Sequence, residues 1–155
     1  MEKTLQELQS EIRYGQRLAE RTARLYRHAQ SLGTFGTVLG GSGMLAAVAA
    51  QIPAWVPLAG GLLFAIMGAA LVAIRPADKA AQNEADVKRY AALLTRSLAM
   101  TPSQVETALA EARQSDAAEI EALRDVAWND VADELGRAEV KVPLPLHARI
   151  IAAVS

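Results

Sequence analysis

Apolar and small residues along the first thirty positions recur at alternating intervals of three and four: Leu5, Leu8, Ile12, Gly15, Ala19, Thr22, Tyr26 and Ala29. That rhythm predicts a helix with one apolar seam. The weak residues Gly15, Ala19 and Thr22 argue against an autonomous coiled coil and for packing on other helices of the same chain. The rhythm then gives way to something different. From Ala29 to Ile74, 46 consecutive residues, there is no Asp, Glu, Lys or Arg. A hydrocarbon core about 30 Å thick takes roughly 20 helical residues at about 1.5 Å each, so the block is long enough for two spans.

The block carries its own punctuation. Gln51, Ile52, Pro53, Ala54, Trp55, Val56 and Pro57 place two prolines and a tryptophan near its middle. Proline disfavours helix in the residue before it, and tryptophan favours the bilayer interface. The pattern therefore predicts a hairpin, with span one at residues 32–52, a tight turn, and span two at residues 55–74. The alternative is a buried hairpin in a soluble bundle, but central helices in so small a domain ordinarily keep a polar stripe. Here the polar side chains are small, apart from Gln30 and Gln51.

Past the block the helical rhythm resumes. Ala80, Glu84, Val87, Ala91, Leu94 and Leu98 predict a helix from near Pro76 to Ala99. Thr101, Pro102 and Gln104 then supply an N-cap, a first-turn proline and the third-position partner of a capping box, so a new helix is expected to start there. It is expected to run through Val105, Leu109 and Ala112 and on through Ile120, Leu123, Ala127, Val131 and Leu135, with a kink or break at Gln114–Asp116. Gly136 is a candidate terminator, Val142–Pro145 is expected to be extended, and His147–Val154 reads as a short apolar helix. The predicted class is all-α. It is a two-span transmembrane helical hairpin with a cytoplasmic helical bundle formed by the N- and C-terminal segments. A single domain covers 1–155, with a basic helix at 1–31 and the remaining helices in 76–155.

Composition agrees with that class: 52% of residues are hydrophobic, only 5% are aromatic, and alanine, the best helix former, dominates. The net charge of -1 conceals segregation. Arg13, Arg17, Arg21, Arg24 and Arg27 precede span one, Arg75 and Lys79 follow span two, and the turn between has no charge. The positive-inside bias then puts both termini in the cytoplasm. Arg13, Arg17, Arg21 and Arg24 fall close to one helical face. They are candidate contacts for anionic lipid or an anionic ligand, against the plainer reading that they pair with the acids between Glu106 and Glu139. The patch has few interleaved aromatics and adjoins the charge-free block, which argues against nucleic acid as a partner. The charged N-terminus lacks the short basic start and apolar core of a signal peptide, so no processing is expected.

Candidate chemistry changes little. With no cysteine, disulfides, thiolate metal sites and a thiol nucleophile are excluded. His28 and His147 lie in unrelated segments without a second ligand at metal spacing. GxSxG, HExxH and GxxxxGK[ST] do not occur, and the acids lie on exposed-looking helical faces. No enzyme activity and no cofactor are expected. One stretch competes: GSGMLA, residues 41–46, fits a relaxed dinucleotide fingerprint. That motif needs a strand before it and an acid about 20 residues on. The position is occupied by Gly60, Gly61 and Leu62, and the next carboxylate is Asp78. The glycines are better read as helix-packing residues: Gly36, Gly40, Gly43 and Ala47 on span one, and Gly61, Ala65, Gly68 and Ala69 on span two. The small polar residues Thr34, Thr37 and Ser42, with Gln51, are candidate pore-lining positions. Whether the glycine face serves the hairpin alone or an oligomer stays open at this stage.

The basic helix ending RTARLYRHAQ, the small-residue hairpin, NEADVKRYAALLTR after it and the closing WNDVADELGRAEVKVPLPLHARIIA cover most of the chain. In these elements the sequence resembles the SLATT family, two-transmembrane effector domains associated with SMODS nucleotidyltransferases and SLOG sensors. The resemblance implies a homo-oligomeric effector in the bacterial inner membrane that perforates or depolarises it in antiviral or conflict defence. The expected partners are the lipid bilayer, further copies of the chain, and a separate nucleotidyltransferase or nucleotide-sensor protein. A non-conducting anchor or scaffold that recruits cytoplasmic partners is the competing expectation.

Overall fold

The structure, a computed structural model, describes residues 3–41 and 55–155. Among them every regular element is helical. In chain order these are α1 (Leu5–Gly41), α2 (Trp55–Ile74), α3 (Pro76–Ser97), α4 (Pro102–Gln114), a 3₁₀ turn (Glu121–Leu123), α5 (Arg124–Glu134), a second 3₁₀ turn (Ala138–Val140) and α6 (Leu146–Val154). The all-α class holds. Among the described residues one helical stretch, Ala59–Ser97, is long and apolar enough to cross a membrane, and only 6% of its apolar window is buried. The second half of the expected span one, from residue 42, lies outside the described residues, as does the expected turn up to residue 54.

The chain divides into two compact units, Met1–Leu25 with Lys79–Ser155, and Tyr26–Asp78. The expected boundary at residue 31 is not an end of helix, because α1 runs unbroken past it to Gly41. Nothing in the sequence stops it there: no proline intervenes, and Gly33 and Gly36 lower helix propensity by only about 1 kcal/mol each. Its start is fixed by a capping box. The Thr4 backbone N–H donates to Glu7 Oε2 (2.7 Å), and the Glu7 N–H donates back to Thr4 Oγ1 (3.3 Å). The backbone hydrogen bond from Thr4 holds the Glu7 carboxyl below its usual range.

In the first unit α1 is the common strut of two cores. Leu8 and Ile12 pack with Tyr90 and Leu93 of α3 and Val105, Leu109 and Ala112 of α4. Further along, Leu18 packs with Leu123, Val126 and Ala127 and with Ala148 of α6. The expected seam holds at Leu8, Ile12, Ala19 and Thr22, all buried, whereas Leu18 and Ala23 are buried off it. They are buried because α1 is packed from two sides, which a single-seam pattern does not anticipate. Gly15 is not a weak point of the seam but a fitted one: a Cβ there would come within 2.8 Å of the Tyr90 ring.

The expected capping box at Thr101 is present, with Gln104 N–H donating to Thr101 Oγ1 and Thr101 N–H to Gln104 Oε1. The expected break is also present, since α4 ends at Gln114 and helix resumes only at the 3₁₀ turn. Gly136 has φ of 66° and closes α5 in a Schellman arrangement: Arg137 N–H donates to Ala132 O (2.8 Å) and Gly136 N–H to Asp133 O (3.1 Å). The extended segment after it is held by Asn129, whose Nδ2 donates to Val142 O while its Oδ1 accepts from Val142 N–H, both at 2.8 Å. Trp128 Nε1 donates to Val140 O (2.9 Å) beside it.

In the second unit α2 is closed by the residue after it, Arg75, a non-glycine residue with φ of 52°. Its N–H donates to Leu71 O (3.0 Å), the single-bond left-handed cap that glycine usually provides.

Candidate functional site

Three places collect the residues singled out by sequence. The first is the row of arginines on α1. Arg21 donates from Nε and Nη2 to the two carboxylate oxygens of Asp130 on α5 (2.8 and 2.9 Å), and from Nη1 to Ala152 O and Ser155 O (3.1 and 2.9 Å). Arg17 is ion-paired with Glu134 and with Glu20. Arg24 joins Glu20 (3.1 Å) and Ser155 O (3.1 Å), and Arg13 lies 3.9 Å from Glu134. The four arginines thus meet carboxylates of the chain itself, three of them reaching α5. A cleft of about 270 Å³ between the helices is lined by Arg17, Arg21 and Arg24 and by Glu20, Asp130, Asp133 and Glu134. Cations and anions alternate there, so the local field favours no anionic ligand strongly; complementary charge instead fastens α1 to α5 and α6.

The second place was not visible in the sequence reading. Asp86, nearly buried on α3, accepts from Arg89 Nη2 at Oδ1 (2.6 Å) and from the Ala117 backbone N–H at Oδ2 (2.8 Å). Arg89 also donates to Asp116 Oδ1 (2.8 Å), and Tyr90 Oη donates to Asp116 Oδ2 (2.6 Å). Burial, then the hydrogen bond to Asp116, raises the Tyr90 hydroxyl above its ordinary pKa. The cluster pins the loop after α4 onto α3. A cleft of about 200 Å³ beside it is lined by Tyr14, Asn83, Asp86, Tyr90, Arg113 and Glu119, among others. The D-x-x-R-Y order on α3 was the available signal; it needed the distant Asp116 to acquire meaning.

The third is the glycine-rich face of the second unit. Gly33, which the sequence reading passed over, makes the closest approach: a Cβ there would overlap the Leu71 side chain of α2. A Cβ at Gly36 would lie 3.4 Å from Met67 Cε and Phe64 Cε1, and one at Gly68 3.5 Å from Thr37 Cγ2. Gly36 and Gly68 therefore face the contact between α1 and α2. Gly61, Ala65 and Ala69 are exposed, and among the described residues a Cβ at Gly61 would meet nothing within 4 Å. At about 100° per residue Gly68 lies about 20° from Gly61 and about 100° from Ala69 around α2, so the 61–65–69 row winds away from the side that Gly68 turns to α1. Gly40 lies in the last turn of α1, and Gly43, Ala47, Ser42 and Gln51 lie outside the described residues. Of the candidate pore-lining residues, Thr37 Oγ1 donates to Thr34 O (2.9 Å) and Thr34 Oγ1 accepts from Gln30 Nε2 (3.1 Å).

These features define a class: an all-α chain with one polar, ion-paired helical unit and one apolar helical unit whose outward face is uncovered. Comparison with protein-family models, with curated proteins and with solved structures finds no match.

Proposed function

We propose that the chain is a membrane effector that oligomerises and perforates or depolarises the bacterial inner membrane, under the control of a nucleotide-signalling or sensor partner protein. In this reading residues 32–52 and 55–74 are the two spans, and residues 1–31 and 76–155 lie on the cytoplasmic side. The observation that carries it is the outward face of α2. Leu62, Ile66 and Val72 are 64%, 58% and 79% exposed, and Leu32, Phe35 and Val38 of α1 are exposed as well. Covering each such side chain stabilises by about 1.5–3 kcal/mol, so a face of this size calls for lipid or another copy. Between the large residues runs the row Gly61, Ala65 and Ala69, continued by exposed Ala73. That spacing lets a helix of a second copy approach closely, where lipid gives no hydrophobic drive for association.

The test is expression of the full chain in bacteria with a potential-sensitive dye, with and without phage challenge. Depolarisation is expected. Gly61→Leu and Ala65→Leu should abolish it while leaving membrane insertion intact, because both positions are exposed. Potential that stays intact under every condition sinks the proposal. A specific observation favours the second reading, a non-conducting anchor: the Thr34 and Thr37 hydroxyls are engaged within α1 and offer little to a water-filled path. An anchor keeps the membrane potential in all variants.

A further inference from the structure

Helix α6 departs from the rule that a surface helix shows one polar face. Its inner face carries Ala148, 2% exposed, with Ile151 and Ala152 packed on the second core. Its outer face is apolar too: Leu146 and Ile150 are 74% and 61% exposed, and Ala153 and Val154 are exposed beside them. At about 100° per residue these four fall within an arc of about 100°, with Arg149 on one flank and His147 on the other. The helix has no acidic residue. Arg149 donates from Nε to Leu144 O (3.1 Å) and enters none of the ion pairs among the described residues. It differs in this from Arg13, Arg17, Arg21 and Arg24 of α1, each of which meets a carboxylate.

We infer that α6 rests on the surface of an anionic lipid bilayer, with Leu146, Ile150, Ala153 and Val154 in the headgroup–acyl boundary and Arg149 and His147 at headgroup level. An apolar centre flanked by basic and amphipathic side chains is the pattern of an interfacial helix. The outward direction of that face is fixed, because Arg21 and Arg24 of α1 hold Ala152 O and Ser155 O from the opposite side. Arg24 precedes the start of the charge-free block by five residues, so the anchoring arginines sit close in the chain to the apolar segment. A second copy is the less suitable occupant: a few exposed side chains give a few hundred Å², short of the roughly 800 Å² per partner of a standard interface. The inference rests on the membrane reading above, and its test separates the two.

The chain has no cysteine, so single spin labels can be placed on full-length protein in vesicles of phosphatidylcholine and phosphatidylglycerol. Labels go on Leu146→Cys and Ile150→Cys, with Glu106→Cys on the exposed face of α4 as the aqueous reference. Oxygen, which partitions into lipid, should relax the labels at 146 and 150 more than a water-soluble nickel chelate does, and the order should reverse at 106. The oxygen preference should fall when phosphatidylglycerol is omitted and when Arg149→Glu is added. Nickel-dominated relaxation at 146 and 150, or an oxygen preference unchanged by both manipulations, overturns the inference. Exclusion of both reagents there means a second copy covers the face, and also overturns it. If carbonate strips the chain from the vesicles, the membrane reading falls first; if the chain stays while the labels are aqueous, only the placement of α6 falls.

Discussion

Alanine in place of Gly15 tests whether α1 is built around Tyr90 or merely tolerates it. On helix propensity alone the change stabilises by about 1 kcal/mol. Against that, the new Cβ would lie 2.8 Å from Tyr90 Cζ and 2.9 Å from Cε1, closer than packed carbons approach. The ring has little freedom to retreat, being 2% exposed, with its hydroxyl 2.6 Å from Asp116. Overpacking of this kind costs about 1–3 kcal/mol, and a retreat that breaks the hydrogen bond to the charged carboxylate costs about 1.5–3 kcal/mol. Set against the propensity gain, these costs leave a net loss of up to about 2 kcal/mol, the expected outcome being about 1 kcal/mol. The reporter is Trp128, which packs edge-on against Tyr14 at 6.3 Å, read in a Trp55→Phe background that leaves it the single tryptophan. Urea unfolding of the full chain in detergent should show the loss, and the penalty should vanish when Tyr90→Leu is combined with Gly15→Ala. A Gly15→Ala chain as stable as its parent, or more stable, refutes the reasoning.

Other substitutions separate further contributions. Arg75→Gly removes the left-handed strain at φ 52°, worth about 1 kcal/mol, at the expense of an exposed ion pair with Asp78 worth a few tenths, approximately; detergent unfolding should shift to higher denaturant. Gly136→Ala should do the opposite by about 1 kcal/mol, since φ there is 66°, and limited proteolysis should cut sooner after α5. Asp130→Ala removes the carboxylate that accepts from Arg21 Nε and Nη2, leaving only the carbonyls at Nη1; with both side chains only about a quarter exposed, a loss of about 1–2 kcal/mol is expected in the same urea assay. The raised Tyr90 pKa gives a contribution fully present below the unfolded value of 10.0 and lost as pH rises towards the folded value. Stability should therefore fall above about pH 10. Tyr90→Phe should flatten that fall, and an unchanged slope in this variant refutes the assignment.

Much of the helical layout was legible because its signals are local. The Thr101–Gln104 capping box, the break at Gln114–Asp116 and the Gly136 stop each depend on a few adjacent residues, and each stands where the chain reads it. The Thr4–Glu7 box carries the same signal and was passed over. Helix ends are less legible in sequence: α3 stops at Ser97 and not Ala99, and α6 begins at Leu146 and not His147, the usual margin where last turns fray. The arginines were legible as a row but not as partners. Nothing in Arg21 itself distinguishes a lipid phosphate from Asp130, which is 109 residues away along the chain.

What the sequence determined by itself is therefore the helical class, the local caps and stops, and a 46-residue block without charge. Those follow from propensity, periodicity and transfer free energy, which act over a turn or two of chain. Tertiary structure decided the rest: that Gly15 makes room for a tyrosine, that Gly33 and Gly36 face Leu71, Met67 and Phe64 while Gly61, Ala65 and Ala69 are exposed, and that Asp86, Arg89, Tyr90 and Asp116 form one network. Small residues four apart mark a face without saying what covers it. Only packing between distant segments, where the closing of long loops is repaid by burial and paired charge, selects the partner.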